Sequence, residues 1–315
     1  MDLSADHIKS LHKYELRVLL SIEYLMGRYS WVPEEELVRN SRLSANEVHF
    51  RLSKLMRKGM VKYSNVPYPG YCLIFNGYDT LAITHLVKKG IITALGDCIG
   101  EGKESRVYEA LGTGPVILKL HRIGQRSFQT VRRGRSYLPE NQHCPWIFAS
   151  HYSAEQEYLA LNALFNHVKV PTPLFMNRNV IAMAYIPGDR LADCTLDDPG
   201  KIFDEVIVQV RAAFRLGYIH GDLSEYNVLY DGEGIWIIDW PQWVSPGHEN
   251  ADEILDVSLS GDSKRLLLSN ILSIELKTVF SKSLENLLSK EINNHFHVGV
   301  DILVDDLCTS SCLVD

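Results

Sequence analysis

The first ninety residues combine helical periodicity with a short alternating pattern. Between positions 10 and 26 apolar side chains recur every three or four residues, which predicts an amphipathic helix that stops at Gly27. Pro33 and the three glutamates after it predict a second helix, since proline and acidic residues favour the first turn. Ser44 and Glu47 predict a capping box at the start of a third helix. Two β-like runs follow, joined by a turn that is rich in proline and glycine.

Three helices and a β-hairpin in this order are typical of a winged-helix domain, whose third helix usually reads nucleic acid. Basic residues on this helix and its flanks are candidates for phosphate contacts: Arg42, Arg51, Lys54, Arg57, Lys58 and Lys62. A second interpretation stays open, because helix C-termini favour cations without any ligand and winged helices also dock proteins. A further helix, which ends at Gly90, closes this part of the chain.

The remainder of the chain changes from strand-like runs to helical ones. An irregular stretch interrupts the strands and carries five arginines, Arg122 among them, against one acid, so we expect it to be mobile and suited to a phosphate backbone. A helix is predicted from Ser153, and from residue 200 the pattern is mainly helical apart from a hairpin near residues 228–239. The fold class is therefore α+β, with a winged-helix domain before two lobes that enclose a cleft. The predicted divisions are 1–90, 91–186 with the arginine-rich stretch 122–152, 187–300 and an undefined tail 301–315.

Composition excludes several classes of protein. With 46% hydrophobic and 23% charged residues the chain is not intrinsically disordered. Apolar runs are too short for a membrane span, and the first residues do not resemble a signal peptide. The six cysteines form no CxxC pair, so a zinc ribbon or a disulfide scaffold is not supported, and a cytoplasmic protein with reduced thiols is expected.

Charge is unevenly distributed along the chain. The net charge is −7, although residues 1–65 hold 11 Lys and Arg against 8 Asp and Glu. The excess of basic residues in positions 1–65 and of acidic residues in the remainder suggests that the two parts bind different partners. Alternatively, it reflects ordinary variation in surface composition.

The segment HGDLSEYNVLY, residues 220–230, points most directly to chemistry. Asp222 and Asn227 lie five positions apart on a predicted loop, and Asp239 ends the apolar strand that follows. A phosphoryl-transfer site needs such a set, in which one carboxylate orients the nucleophile and accepts its proton. An amide oxygen and a second carboxylate hold Mg²⁺ against the nucleotide phosphates. The spacing HxDxxxxN is that of a kinase catalytic loop, and the downstream aspartate makes the match specific.

Upstream residues occupy the positions that such an enzyme would require. Gly100 and Gly102 allow backbone amides to approach phosphate, with Lys103 and Ser105 as further donors. Lys119 stands where a third-strand lysine contacts phosphates.

A glutamate of the following helix should pair with Lys119, and that helix offers Glu155 and Glu157. We choose Glu157, which lies nearer the apolar face on a helical wheel. In the run IAMAYIPGD, backbone groups of Ala184 and Ile186 are expected to meet an adenine edge.

Three segments, IGEGKESRVYEA, HGDLSEYNVLY and IIDWPQ, resemble the RIO family of atypical protein kinases. The run GYDTLAITHLVKKGIITALGDCIGEGKES after a winged helix resembles the second RIO subfamily in particular. The resemblance covers residues 1 to about 245. It implies a minimal kinase fold without the usual activation loop, and the shortness of the chain after Asp239 favours an archaeal member.

The resemblance implies a serine kinase or ATPase that uses ATP with Mg²⁺, or Mn²⁺ as an alternative ion, and that phosphorylates itself. It also implies a role in maturation of the small ribosomal subunit, with pre-ribosomal proteins and ribosomal RNA as partners. Asp222 would be the catalytic aspartate, assisted by Lys119 and Glu157, and Asn227 and Asp239 would bind the metal. The nucleotide would be bound by Gly100, Glu101, Gly102, Lys103, Glu104, Ser105, Val107, Lys119, Met183, Ala184, Tyr185 and Ile186.

Three positions depart from the family pattern. Arg106 stands where the family usually has Asp, and Trp240 stands where it usually has Phe after the metal-binding aspartate. Ala184 stands where it often has Glu. None of these differences removes a catalytic atom. His220 is expected to support the catalytic loop by hydrogen bonding.

Two other functions share part of this pattern. Small-molecule phosphotransferases of the aminoglycoside or choline kinase type carry the same HGDxxxxN loop, but they lack GKES and a winged helix in front of it. A nucleic-acid-binding regulator with a degenerate kinase fold would be expected to lack metal ligands, yet Asn227 and Asp239 are present.

Overall fold

The computed structural model describes residues 5–123 and 146–248, which form a winged-helix domain followed by a two-lobed domain. The α+β class and this order of domains agree with the sequence-based expectation. The helices are α1 (Ala5–Lys9), α2 (Lys13–Met26), α3 (Glu34–Ser41), α4 (Ala45–Arg57), α5 (Phe75–Lys88), α6 (Trp146–Leu164) and α7 (Pro199–Arg215). The strands are β1 (Val61–Ser64), β2 (Gly70–Leu73), β3 (Ala94–Glu101), β4 (Ser105–Leu111), β5 (Pro115–His121), β6 (Pro173–Asn177), β7 (Val180–Ala184), β8 (Asp189–Arg190), β9 (Val228–Tyr230) and β10 (Ile235–Ile237). None of these helices is long and apolar enough to cross a bilayer.

The predicted capping box at the start of α4 is only half formed. Ser44 Oγ accepts the Glu47 N–H at 3.3 Å, but the Glu47 carboxylate accepts from Arg51 Nε at 2.7 Å instead of returning to the cap. An i, i+4 ion pair thus competes successfully with the cap. The reciprocal box lies at the start of α2, where Glu15 Oε2 accepts the His12 N–H at 3.2 Å.

Helix α5 contributes to two hydrophobic cores. Tyr78 and Leu81 near its middle belong to the core of the winged-helix domain. Ala82, Ile83 and Leu86 pack on one face of the five-stranded sheet, whose strand order is β3-β4-β5-β7-β6. The helix that the sequence suggested as a linker therefore covers the back of the sheet.

The predicted irregular stretch 122–152 overlaps described structure at both of its ends. Helix α6 begins at residue 146, not at Ser153, and residues 122 and 123 continue from β5. Two serines of α6 bind the end of β5: Ser150 Oγ accepts the Ile123 N–H at 2.9 Å, and Ser153 Oγ lies 3.1 Å from His121 Nδ1. These polar residues interrupt the apolar periodicity, so the sequence pattern did not predict the first turns of α6. Arg126, Arg132, Arg133 and Arg135 lie outside the described residues.

The second lobe is built on α7 and a small sheet with the order β10-β9-β8. Asp198 caps α7 by accepting the Lys201 N–H at 3.0 Å, and Pro199 occupies the first turn. The apolar face of α7 packs against Val228, Ile235 and Ile237 of the sheet. The helical character predicted after residue 200 is present in α7, while residues 249–315 lie outside the described part of the chain.

Candidate active site

The loop between His220 and Asn227 is fixed by its backbone. Gly221 has φ +79°, and a Cβ there would lie 2.3 Å from Gln242 O, so only glycine fits. His220 Nε2 donates to Ile238 O at 2.9 Å, because a carbonyl can only accept, and His220 Nδ1 therefore accepts the Asp222 N–H at 3.3 Å. The imidazole is thus neutral, and burial lowers its pKa. His220 joins the loop to the segment before Asp239, as the sequence led us to expect.

Asp222 and Asn227 are brought together by a short 3-10 turn, Glu225–Asn227. Asn227 Nδ2 donates to Asp222 O at 2.7 Å, which leaves Asn227 Oδ1 as the atom able to bind a cation. Asp222 is exposed. The partial desolvation by surrounding protein atoms and then the negative charge of Asp239 raise the pKa of Asp222.

Asp239 follows β10 and has a left-handed backbone conformation, with φ 68°. Such a conformation is uncommon for a residue other than glycine and costs free energy, although aspartate adopts it more readily than most residues. The segment is held by the Ile238 N–H, which donates to Asn227 O at 2.9 Å. Asp239 Oδ1 accepts from Lys119 Nζ at 2.6 Å, and its side chain keeps 38% of its surface exposed. The arrangement fixes Asp239 beside Asn227 with part of its carboxylate open.

Lys119 of β5 joins the two lobes through two carboxylates. Its Nζ lies 2.8 Å from Glu157 Oε1 as well as 2.6 Å from Asp239 Oδ1. Burial alone would lower the pKa of Lys119, but Asp239 and Glu157 outweigh burial and raise it. The lysine is therefore charged.

Glu157 is 1% exposed and is surrounded by donors. The Trp240 N–H donates to its Oε1 at 3.3 Å, and His121 Nε2 lies 2.9 Å from its Oε2. Burial alone would raise the pKa of Glu157, but Lys119 and then His121 lower it to about 2. Of the two glutamates weighed from the sequence, the structure brings Glu157 to Lys119, while Glu155 is partly exposed.

The register of the sheet puts the other candidate nucleotide contacts on one face. Val107 pairs with Lys119, and Ile117 pairs with Met183, so these side chains point away from α5. Ser105, two residues before Val107, shares the face. From this face Lys119 reaches Asp239 of the second lobe.

The turn between β3 and β4 leaves room for a ligand. A Cβ at Gly100 or Gly102 would meet nothing closer than 3.6 Å or 3.7 Å, so packing within the protein does not require these glycines. Lys103 is exposed at the tip of the turn. The extra positive charge of Arg106 is neutralised, because Glu101 Oε1 accepts from Arg106 Nε at 2.9 Å.

The predicted hinge lies at the end of β7. Met183 is buried, and the Ala184 N–H donates to Thr172 O at 2.9 Å, so this amide is already used. Tyr185 is exposed, and its N–H points to Pro115 O at 3.4 Å. The Ile186 carbonyl accepts the Gly188 N–H at 3.0 Å, whereas the Ile186 N–H has no backbone partner among the described residues and can serve as the hinge donor for a ligand.

The oxygen donors at the site suit Mg²⁺ bound together with phosphates. Asp239 and Asn227 offer a carboxylate and an amide oxygen, and the neighbouring Asp222 would be relieved of repulsion by a cation. Within residues 5–123 and 146–248 no three His, Cys, Asp or Glu side chains form a complete cage. Mg²⁺ commonly takes one or two carboxylates from a protein and the rest of its ligands from phosphate and water.

Sequence reasoning missed a second polar cluster on the other face of the sheet. Asp79 of α5 is fully buried and accepts from Arg122 and Asn179. An aspartate within the apolar run of α5 was a signal that could have revealed it, since a buried carboxylate requires partners. Arg122 had been counted among the arginines of the irregular stretch.

Comparisons with known proteins agree with this geometry. Residues 106–260 match the model of the RIO domain, and residues 8–89 match that of the Rio2 N-terminal domain. The RIO-type serine/threonine-protein kinase Rio2 of Methanocaldococcus jannaschii is 39% identical over 236 residues, which cover 72% of this chain and 86% of the relative. The Schizosaccharomyces pombe serine/threonine-protein kinase rio2 is 31% identical, with 81% of this chain and 76% of the relative covered. The crystal structure of the Chaetomium thermophilum Rio2 kinase–ADP/Mg²⁺–phosphoaspartate complex superposes with a TM-score of 0.73 at 27% identity, covering 87% and 86% of the two chains.

Proposed function

The chain belongs to the Rio2 type of RIO serine/threonine-protein kinases, and we propose from this that its cleft transfers the γ-phosphoryl group of Mg²⁺-bound ATP. The observation that carries the proposal is the position of Lys119, which bonds both Glu157 and Asp239 beside the Asp222–Asn227 loop. Phosphoryl transfer requires a positive charge near the phosphates, which the Lys119 ammonium supplies, and oxygen-bearing side chains that hold the metal and the nucleophile. Asp222, Asn227 and Asp239 are these side chains.

Each residue of the site has a proposed role. Asp222 orients the accepting hydroxyl and takes its proton, and its raised pKa makes it a better proton acceptor than an ordinary carboxylate. Asn227 and Asp239 would hold Mg²⁺, which supplies positive charge to the phosphates when bound. Lys119, kept charged and held in place by Glu157, contacts the phosphates.

The remaining contacts bind the nucleotide itself. The turn from Gly100 to Ser105 encloses the phosphates, and Val107 packs on the base. Met183 lines the back of the pocket, and the backbone from Ala184 to Ile186 meets the adenine edge. In this assignment the Ile186 N–H is the donor of the hinge, since that of Ala184 is bonded to Thr172.

The first acceptor of the phosphoryl group is either a serine hydroxyl or an active-site carboxylate, with ADP as the leaving group, and in the second case water is the final acceptor. A Rio2 kinase from another organism has been crystallised as a phosphoaspartate complex with ADP and Mg²⁺. We extend this to the present chain: an active-site aspartate takes the phosphoryl group before water releases it, which would give a slow ATPase with self-labelling. Self-labelling on serine is the second outcome that the family assignment suggests.

The proposed setting is maturation of the small ribosomal subunit in the cytoplasm, with ribosomal RNA and pre-ribosomal proteins as partners. The winged helix supports this role only in part. Arg51 is bound by Glu47 at 2.7 Å and Lys58 by Glu15 at 2.9 Å, so neither is free for phosphate. Of the six basic residues proposed from the sequence, Arg42, Arg57 and Lys62 are exposed.

Product analysis with γ-labelled ATP tests the proposal. Wild-type protein should release phosphate and label itself only with Mg²⁺, and both signals should disappear in Asp222→Ala and Asp239→Ala. Label that is lost in hydroxylamine is an acyl phosphate, whereas label that survives acid is phosphoserine. Adding pre-ribosomal particles separates labelling of a partner from turnover of ATP. Transfer to an aminoglycoside or to choline by the same preparation would instead favour a small-molecule phosphotransferase.

A further inference from the structure

Helix α5, on the face of the sheet opposite the nucleotide site, is connected to the end of β5 by the buried ion pair of Asp79 and Arg122. Asp79 of α5 is 0% exposed, and its Oδ2 accepts from Arg122 Nε at 2.9 Å and from Arg122 Nη2. Its Oδ1 accepts from Asn179 Nδ2 at 2.6 Å. The Arg122 guanidinium also lies over the ring of Phe75, 5.7 Å from its centroid, so α5 holds it from several sides. A carboxylate buried to this degree is retained only when charged and polar partners satisfy it.

The backbone of Arg122 connects this ion pair to the glycine-rich turn, which is the turn between β3 and β4 from Gly100 to Ser105. Its N–H donates to Glu104 O at 2.6 Å, one position beyond the last pair of the β4–β5 ladder, Ser105 with His121. Within the turn itself, the Gly102 N–H donates to Ser105 O at 2.9 Å. In addition to the β3–β4 ladder, the bond from Arg122 joins the turn to the end of β5.

His121, the residue before Arg122 on β5, is also held by hydrogen bonds. Asn179, in the turn between β6 and β7, donates from Nδ2 to His121 O at 2.9 Å and accepts the His121 N–H at 2.8 Å. Asp79 binds both Asn179 and Arg122, so a single carboxylate fixes the end of β5 at two consecutive residues. The position of the Arg122 amide is thereby determined by α5.

We propose that Arg122, anchored on Asp79, is a positioning residue for the phosphate-binding turn. The inference rests on the proposed function, since it assigns that turn to the phosphates of ATP. A glycine-rich turn binds phosphate well only when its amides are already in place, because ordering them on binding costs affinity. Helix α5, supplied by the N-terminal part of the chain, is then part of the nucleotide site, although it touches no ligand.

A second ion pair provides a matched control. Arg178, in the turn between β6 and β7, binds Glu23 of α2 through two bonds, at 2.6 Å and 2.7 Å. The side chains are 17% and 20% exposed, so this pair is also largely buried and also joins the N-terminal domain to the sheet. The described side-chain bonds of Arg178 reach Glu23 and Asn177, and its carbonyl lies 2.9 Å from His151 Nδ1, so none of these bonds involves the turn between β3 and β4. Removing it should weaken the same domain contact without disturbing that turn.

The experiment compares Arg122→Gln with Arg178→Gln by thermal unfolding and by the Kd values of ATP, ADP and adenosine. Both variants should lower Tm, and Arg122→Gln should lower it more, because it leaves the fully buried Asp79 without its charged partner. Only Arg122→Gln should weaken ATP and ADP, by about tenfold, while adenosine, which has no phosphates, stays within about twofold. In turnover the KM for ATP should rise and kcat at saturating ATP should stay within about threefold.

The double variant Asp79→Asn/Arg122→Gln is included in case Arg122→Gln alone does not fold. It removes both charges, so part of the Tm should return while ATP binding stays weak. Unchanged ATP affinity in the folded variants would overturn the proposal, as would an equal loss in Arg178→Gln or an equal loss for adenosine. A wild-type protein that binds no ATP would instead refute the proposed function.

Discussion

Glu157→Gln is the substitution whose effect can be worked out most fully from the structure. It keeps the shape of the side chain but removes the negative charge that faces Lys119 at 2.8 Å. Lys119 would retain only Asp239, and the contact to His121, 2.9 Å away, would lose its charge. We expect lower stability together with weaker ATP binding, because Lys119 would no longer be held between two carboxylates.

The pKa of Glu157 gives the size of the stability effect. Folding lowers it from 4.5 to about 2. Each unit is worth about 1.4 kcal/mol, so the charged group contributes about 3 kcal/mol at neutral pH. Removing one partner of a buried ion pair typically costs about 3–5 kcal/mol, which is consistent. Because the pKa is lower in the folded state, this stability is fully present above about pH 4.5 and is lost as the pH falls towards 2.

Urea unfolding at pH 7 and at lower pH measures this effect, with Glu155→Gln as the control on the same helix. Glu157→Gln should lower the free energy of unfolding by about 3 kcal/mol at pH 7, and the difference from wild type should shrink below about pH 4. Glu155→Gln should stay within about 0.5 kcal/mol of wild type. If the two variants unfold alike at pH 7, or if the difference does not depend on pH, the reasoning about Lys119 and Glu157 is refuted.

Three further predictions concern the catalytic loop. Asp222→Asn should abolish phosphoryl transfer without lowering stability at pH 7. The reason is that a carboxyl group whose pKa is raised in the folded state costs stability as the pH rises. Turnover and urea unfolding measure the two effects, and a destabilised variant would contradict the prediction. Gly221→Ala should cost at least about 2 kcal/mol more than Gly232→Ala in urea unfolding, since both have positive φ but only Gly221 would clash, with Gln242 O. Trp240→Phe should lose about 1–2 kcal/mol on thermal unfolding, through the lost bond from Nε1 to Ile237 O and a small cavity, with ATP affinity retained; a large loss of affinity would contradict this.

The parts of the fold that periodicity encodes were predicted well. The winged helix and the change from strand-like to helical runs follow from local patterns of apolar residues, and the phase of α6 selected Glu157 correctly as the partner of Lys119. The start of α6 was misplaced because Ser150 and Ser153 are polar yet buried, which only their contacts to the end of β5 explain.

The polar contacts between distant segments were not predictable. Asp79, Arg122 and Asn179 meet only after α5 has packed on the sheet, and no spacing in the chain announces such a contact. The capping box failed for a related reason, since Glu47 had a second partner in Arg51. The roles assigned to the site residues and the phosphate binding of the arginine-rich stretch remain predictions.

The central claim is that Asp222 and Asp239 carry out Mg²⁺-dependent transfer of the γ-phosphoryl group. The most direct measurement is the single-turnover rate of γ-phosphate loss from labelled ATP in Asp239→Ala and Asp222→Ala, with Asp204→Ala on the exposed face of α7 as the control. We predict that both active-site variants fall by more than about a hundredfold, that Asp222→Ala still binds ATP, and that the control equals wild type. Turnover in Asp239→Ala within about tenfold of wild type, a loss below about 1.4 kcal/mol of barrier, would contradict the account.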